Sequence, residues 1–239
     1  MMPMEKVLHR ADERGKGEHG WLSTRYSFSF ADWYEPSRMG FGALRVINDD
    51  RIAPANGFGA HRHQDMEIVT IVTKGAVTHE DSMGNSGEVP AGDVQAMSAG
   101  TGVTHAERND SALEELTLFQ IWIASDRKGA RPRYAQKPFG LDSKEPGLTL
   151  LVGPDGTPGA LPIYQDAYIS QGIIDATHPL TYALKDPMHG LYVFVIEGTV
   201  SVAGETLKDR DAIGMADVGE VSLESDGFAR VLLVEVPLA

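Results

Sequence analysis

In GFGAHRHQDME (residues 57–67), His61 and His63 stand two residues apart. Residues at that spacing on a β-strand face the same side, so the two imidazoles project together and can share one metal ion. Downstream, THAERN carries His105 and Glu107 at the same spacing. If the two segments lie on adjacent strands, three imidazoles and one carboxylate converge. A mixed nitrogen–oxygen set of that kind suits a divalent first-row metal that keeps open positions for substrate or oxygen. Glu67, just after the first histidine pair, is a second candidate carboxylate, and spacing alone does not choose between it and Glu107. Gly100 and Gly102 precede His105 and let the chain turn tightly before it. The chain has no cysteine. Disulfides, thiolate metal sites, iron–sulfur clusters and cysteine nucleophiles are therefore excluded, and any metal must be held by imidazole and carboxylate.

The elements that must position these groups read as short strands. EIVTIVT (67–73), a Lys74-Gly75 turn and AVTHED (76–81) form strand, turn and strand. Asp81–Gly87 and Pro90–Asp93 carry turn chemistry. Leu116–Ile123 (LTLFQIWI), Leu191–Gly204 and Ala229–Val236 read as further buried strands, and one short helical stretch is expected near Ser111–Glu115. Glycine, at 26 of 239 residues, exceeds its usual share of about 7%, which fits many turns between short strands. A loose repeat runs through the chain. IVTIVTKGAVTH around Gly75 resembles LYVFVIEGTVSV around Gly198, and EVPAGDVQAMS resembles TLKDRDAIGMA, with Asp93 opposite Asp211. Lys128–Gly147, rich in Gly, Pro and charge, is placed as the boundary between two similar β-barrels, residues 1–138 and 139–239.

The charge balance, 21 Lys and Arg against 34 Asp and Glu, gives a net −13. A field of that sign repels nucleic acid and anionic lipid, so direct contact with either is not expected. The longest apolar run, Leu191–Ile196, is far shorter than the roughly 20 residues a membrane span needs. The N-terminal stretch MMPMEKVLHRADERG mixes both charges without an apolar core, so no secretory signal is expected and a cytoplasmic location follows.

Gly57-x(3)-His61-x-His63-x(3)-Glu67-x(7)-Gly75 is similar to the first cupin motif, and Gly102-x(2)-His105-x(3)-Asn109 to the end of the second. Closer still is the resemblance to pirins, above all bacterial pirin-like quercetinases. It is carried by ADERG (11–15), GWL (20–22), YSFSFADWY (26–34), LRVINDD (44–50), DMEI (65–68), HEDSMGN (79–85) and MSAGTGVTHAE (97–107). The likeness is dense from about residue 10 to 125 and thin beyond. It implies an all-β bicupin, two antiparallel jelly-roll barrels packed together, in which the first half is the metal-binding pirin domain. In many cupins the carboxylate ligand would be Glu67; in pirins it is the glutamate two after the last histidine, here Glu107. The resemblance thus implies His61, His63, His105 and Glu107 as ligands, with Glu107 also the base and Glu67 beside the site or as alternative ligand. It implies one divalent metal per chain, Fe(II) favoured, with Cu, Ni, Co, Mn or Zn able to fit the same donors. The implied activity is cleavage of flavonols such as quercetin with O2 and release of carbon monoxide. The alternative is a metal-binding regulator acting through a protein partner, with flavonol cleavage as a side activity.

In the second half, the repeat places Leu184 and Asp186 opposite His61 and His63, and Leu223 and Ser225 opposite His105 and Glu107, so no second centre of this kind is expected. His9, His19, His79, His178 and His189 read as exposed or hydrogen-bonded residues, Trp21, Trp33 and Trp122 as packing anchors, and Asp49-Asp50 and Glu114-Glu115 as solvated pairs. A bicupin covers its own sheet edges, so a monomer is expected.

Overall fold

Strands buried on both faces build this chain. Along Met66–Lys74, Val69 and Ile71 enter one large apolar cluster, while Ile68 and Val72, on the other face, enter two smaller ones. Leu116–Ala124 divides likewise: Phe119, Ile121 and Ile123 join the large cluster, Leu116 and Leu118 a smaller one. Successive side chains on a strand point to opposite faces, so a near-continuous apolar run is what a sheet covered on both sides requires. The structure, a computed structural model, describes residues 5–238. Met1–Met4 and Ala239, which the N-terminal reading and the outer limits of the two halves include, lie outside the described residues.

The strands form two pairs of sheets. The first seven-stranded sheet has the order Arg133–Pro138, Asp93–Ser98, Met66–Lys74, Leu116–Ala124, Leu44–Ile52, Leu22–Tyr26 and Gly15–Glu18. It faces a four-stranded sheet of Asn56–His63, Val103–Asn109, Ala76–Asp81 and Ser86–Pro90. A second seven-plus-four pair follows from Gly147 on, centred on His189–Glu197 and Ala229–Pro237. This is the all-β double-barrel architecture expected. Among the described residues the strand pairs are antiparallel except Gly147–Pro154 with Leu161–Ile163, which run parallel.

Two expectations change, at Ser111–Glu115 and at Asp50. Ser111–Glu115 is an irregular loop, because the Ser111 hydroxyl accepts from the backbone N–H of Glu114 and the Asn109 amide donates to the Glu114 carbonyl. Such local side-chain bonds compete with helix. The only helical piece among the described residues is a 3-10 turn at Ala11–Glu13. Within Lys128–Gly147, Arg133–Pro138 is a strand that closes the edge of the first large sheet against Asp93–Ser98. Asp50 is not solvated: it is 3% exposed and faces the interior of the first barrel.

The two large sheets pack back to back. Their shared core joins Val69, Ile71, Phe119 and Ile121 to Tyr192, Phe194, Leu232 and Val234, with the Phe119 and Phe194 rings edge-on at 5.6 Å. Phe194→Ala is expected to cost about 3–5 kcal/mol, the usual range for truncating a buried aromatic, measurable by denaturant unfolding. The chain start also ties the halves together. Glu5–His9 pairs with Ala212–Ala216 in the second large sheet, before the chain enters the first.

His9 is buried at the end of that strand, its Nδ1 2.9 Å from the Tyr192 hydroxyl. Burial, with Arg38 nearby, pushes it down from 6.5 to about 4. Between those values the unfolded chain binds a proton that the native chain excludes. The stability His9 contributes is therefore present above pH 6.5 and is lost as pH falls towards 4. The full effect is about 3 kcal/mol. Wild type should lose more stability than His9→Gln between pH 7 and pH 4 in parallel denaturant titrations.

Candidate metal centre

The first barrel carries a polar stripe where apolar residues would be expected. On three adjacent strands the central inward position is Gln120, Thr70 and Gln95, in direct register: Gln120 opposite Thr70, and Thr70 opposite Gln95. Apolar clusters lie on either side, Val72 and Leu118 to one side, Ile68 and Met97 to the other. The repeat puts Leu233, Val193 and Ile213 at the same positions of the second barrel, again in register and fully buried. At these three positions the first barrel is polar and the second apolar. A buried carboxylate of the second barrel, Glu235, lies further along the same face of its strand, where it accepts from the Tyr182 hydroxyl at 2.8 Å and two backbone N–H groups beside His189.

Glu107 reaches this stripe from the facing sheet. It is 2% exposed. Its Oε1 accepts from the Gln95 amide at 2.5 Å and the Thr70 hydroxyl at 3.1 Å, and its Oε2 from the Gln120 amide at 2.9 Å. Burial raises its carboxyl above the usual range, opposed by His79 and these donors. With two donors on Oε1 and one on Oε2, the carboxylate keeps a lone pair on Oε2.

The histidines converge beside it. Val103–Asn109 pairs with Asn56–His63, placing His105 opposite His61 and Glu107 opposite Phe58, with a bulge between. The bulge keeps both His105 and Glu107 buried on the inner face while the partner strand gains a residue. Gly100 and Gly102 enter this strand at φ of 45° and 135°, and a Cβ at Gly100 would lie 2.0 Å from the Ala130 carbonyl oxygen, so glycine is required there.

The three imidazoles bring their ring nitrogens together. His105 Nε2 lies 3.0 Å from His61 Nε2. His61 Nδ1 sits 2.8 Å from the Gly59 carbonyl, which can only accept, so Nδ1 is the donor there and Nε2 is the nitrogen turned to the centre. His63 Nε2 is buried with no hydrogen-bond partner. Burial, with the neighbouring imidazoles, pushes His63 down to about 4 and His105 to about 3, so both are neutral at pH 7. Ring nitrogens brought this close, with His63 Nε2 and His105 Nδ1 both buried and unpartnered, are what a divalent cation would satisfy. The residues fit a metal.

Ligand atoms of His61, His63 and His105 lie within 4.8 Å of one another, and those of His79, His105 and Glu107 form a second such group, so His105 belongs to both. His79 is the addition to the sequence reading. It is buried on Ala76–Asp81 opposite Glu107, with Nε2 3.1 Å from Asp81 Oδ2 and its ring stacked on Tyr134 at 4.6 Å. Gln95, Gln120 and Thr70 are further additions, and Asp50, expected to be solvated, joins them. Their signal was a polar residue at an inward parity of an apolar strand. Asp50 and Glu107 both line a cavity of about 60 Å³, and burial pushes Asp50 up to about 7.

Glu67 does not reach the centre. It lies one strand position from Ile68 and three from Thr70, hence on the opposite face of Met66–Lys74 from both, and its carboxylate accepts from the Ser98 hydroxyl. Ser98 in turn accepts from Arg133 Nε at 3.1 Å. The alternative that made Glu67 the fourth ligand fails on this parity. Glu67→Gln is expected to leave the metal content per chain unchanged, as elemental analysis would read it. Trp122, half-buried, does serve as packing: its ring meets His63 edge-on at 4.8 Å and Phe30 at 5.3 Å.

Paired sandwiches back to back, one of them with convergent imidazoles and a buried carboxylate, define a metal-binding bicupin. Comparison with known proteins narrows this. The Pirin family model matches residues 7–123, and that of the quercetinase C-terminal cupin domain matches residues 150–236. The quercetin 2,3-dioxygenase of Escherichia coli (strain K12) is 41% identical over 230 residues, covering 96% of this chain and 98% of that protein. A pirin-like protein of Caulobacter vibrioides is 43% identical over 225 residues, covering 94% and 96%. The crystal structure of the bacterial pirin YhhW from Escherichia coli in complex with nickel(II) superposes with a TM-score of 0.92 at 40% identity, covering 98% of this chain and all of that one. The chain belongs to the pirin family. Among the described residues no helix is long and apolar enough to cross a membrane.

Proposed function

We propose that the protein is a flavonol 2,3-dioxygenase, opening the heterocyclic ring of quercetin-like substrates with O2 and releasing carbon monoxide. The observation that carries this reading is the polar stripe: Gln95, Thr70 and Gln120 hold Glu107 beside three convergent imidazoles in a barrel otherwise lined with apolar residues. His61, His63, His105 and Glu107 would hold one divalent metal. Iron(II) is favoured on family grounds, and nickel(II) is what the related bacterial pirin carries. When bound, such an ion supplies a Lewis acid that lowers the pKa of a hydroxyl brought to it.

The remaining tasks fall to the chain. Glu107 is the carboxylate placed to take the proton of the substrate's 3-hydroxyl: Oε2 accepts one hydrogen bond, from Gln120, and its remaining lone pair, which would bind the metal, takes the proton as the carboxylate swings away. Its amide and hydroxyl donors fix the carboxylate before substrate arrives. Phe58 and Trp122, both half-buried, stand against His61 and His63 and line the approach with apolar surface that limits water. Loss of the flavonol absorption band on mixing with protein loaded in turn with Fe(II), Ni(II), Co(II), Cu(II) and Mn(II) tests the proposal. Turnover with at least one is expected.

A further inference from the structure

We propose that the cleft between the two halves is a binding site for a small oxyanion, a phosphate or a carboxylate. The cleft holds about 350 Å³, is lined by Arg14, Arg25, Arg51 and Arg210 against Asp49 and Asp209, and includes no residue of the metal centre. The inference therefore stands or falls independently of the flavonol reading. Four guanidinium groups round one cavity are unexpected in a chain of net charge −13.

The local charges do not balance. Arg14 NH1 and Arg210 Nε approach the same oxygen, Asp49 Oδ2, at 3.4 and 2.8 Å. One carboxylate thus serves two cations. Asp209 lines the cavity without an ion-pair partner among the described residues, one oxygen accepting the Gly198 N–H at 2.7 Å, so two carboxylates face four guanidinium groups. Arg25 turns to Glu18 at 2.6 Å, and Arg51 lies exposed at the mouth. Arg14 is 4% exposed, and its Nε is buried without a hydrogen-bond partner. A buried cation with an unmet donor and half a counter-ion is costly, and a bound anion would relieve both deficits.

The guanidinium groups are also held in place. Arg14 Cζ stands 5.1 Å from the centre of the Phe194 ring and Arg210 Cζ 5.3 Å from that of Phe119, the two rings that meet in the core between the halves. Stacked, planar and permanently charged forks are the groups that bind phosphate or carboxylate through paired N–H donors. Arg210 is held at φ 69°, a left-handed conformation that a non-glycine residue adopts at a cost. Arg14, Asp49 and Arg51 belong to the first half of the chain and Asp209 and Arg210 to the second, so an anion here would bridge the two.

Calorimetric titration and thermal unfolding of the metal-loaded full chain test this with orthophosphate and with succinate, each against chloride at matched ionic strength. The same measurements are made on Arg51→Gln, an exposed position, and on Arg210→Gln. Saturable binding at millimolar anion or below, weakened at least about tenfold in both variants, is the expected result. A response to orthophosphate alone assigns a phosphoryl group, and one to succinate alone a carboxylate; either supports the site. General salting effects act equally on all three proteins. An anion response equal to that of chloride, or one undiminished in both variants, would overturn the proposal.

Discussion

His105→Ala is expected to leave a folded protein that is nearly free of metal and has lost flavonol turnover. His105 is the residue shared by the two groups of potential ligands, and its Nε2 faces His61 Nε2 at 3.0 Å. Removing groups that merely orient a ligand already costs about 10–100-fold in metal affinity, so removing the central ligand should cost more. The strand itself is held by backbone pairing on both sides, to Asn56–His63 and to Ala76–Asp81, and survives truncation of one side chain. Elemental analysis reads the metal content and circular dichroism the fold. The same variant separates the regulatory alternative from the enzyme: a metal-dependent regulator would also lose its partner interaction.

Glu107→Gln is expected to lower kcat by about 10²–10⁴-fold, the range for loss of a positioned proton acceptor. The substitution also places an NH2 group on one side of the former carboxylate. Gln95 and Gln120 both donate to Glu107, one to each oxygen, so in the present amide orientations the new amide sets a donor against a donor at one of them. That conflict should cost about 1–3 kcal/mol as an unmet buried donor. Adding Gln120→Glu restores donor to acceptor and should recover stability. It moves the negative charge off Val103–Asn109 and should not recover turnover. Recovery of stability without activity separates the chemical role of Glu107 from its structural one.

Much of this was legible in the sequence because strand parity is a simple code. The i, i+2 spacing of His61/His63 and His105/Glu107 placed each pair on one face, and the structure brings the two strands side by side. Parity could not choose between Glu107 and Glu67, since each lies on its own strand, and the choice depends on which face of Met66–Lys74 lines the barrel. His79 was hidden for the same reason. On its own strand it is one more polar residue in an alternating hairpin, and only pairing with Val103–Asn109 sets it opposite Glu107. The exchange at the chain start was not legible either. Nothing local in Glu5–His9 says that it completes a sheet formed largely by residues beyond Gly147. The pair Asp49-Asp50 reads as solvated by composition, yet alternation puts Asp49 among the arginines of the cleft and Asp50 in the barrel.

The central claim is that the first barrel, through His61, His63, His105 and Glu107, holds a metal and cleaves flavonols. It is tested most directly by measuring carbon monoxide released against quercetin consumed, in air, by wild-type protein loaded with one equivalent of metal. One carbon monoxide per quercetin, absent without O2 and absent in His105→Ala, is the expected result. Quercetin left intact with every one of Fe(II), Ni(II), Co(II), Cu(II) and Mn(II), or consumed at an equal rate by His105→Ala, would contradict it.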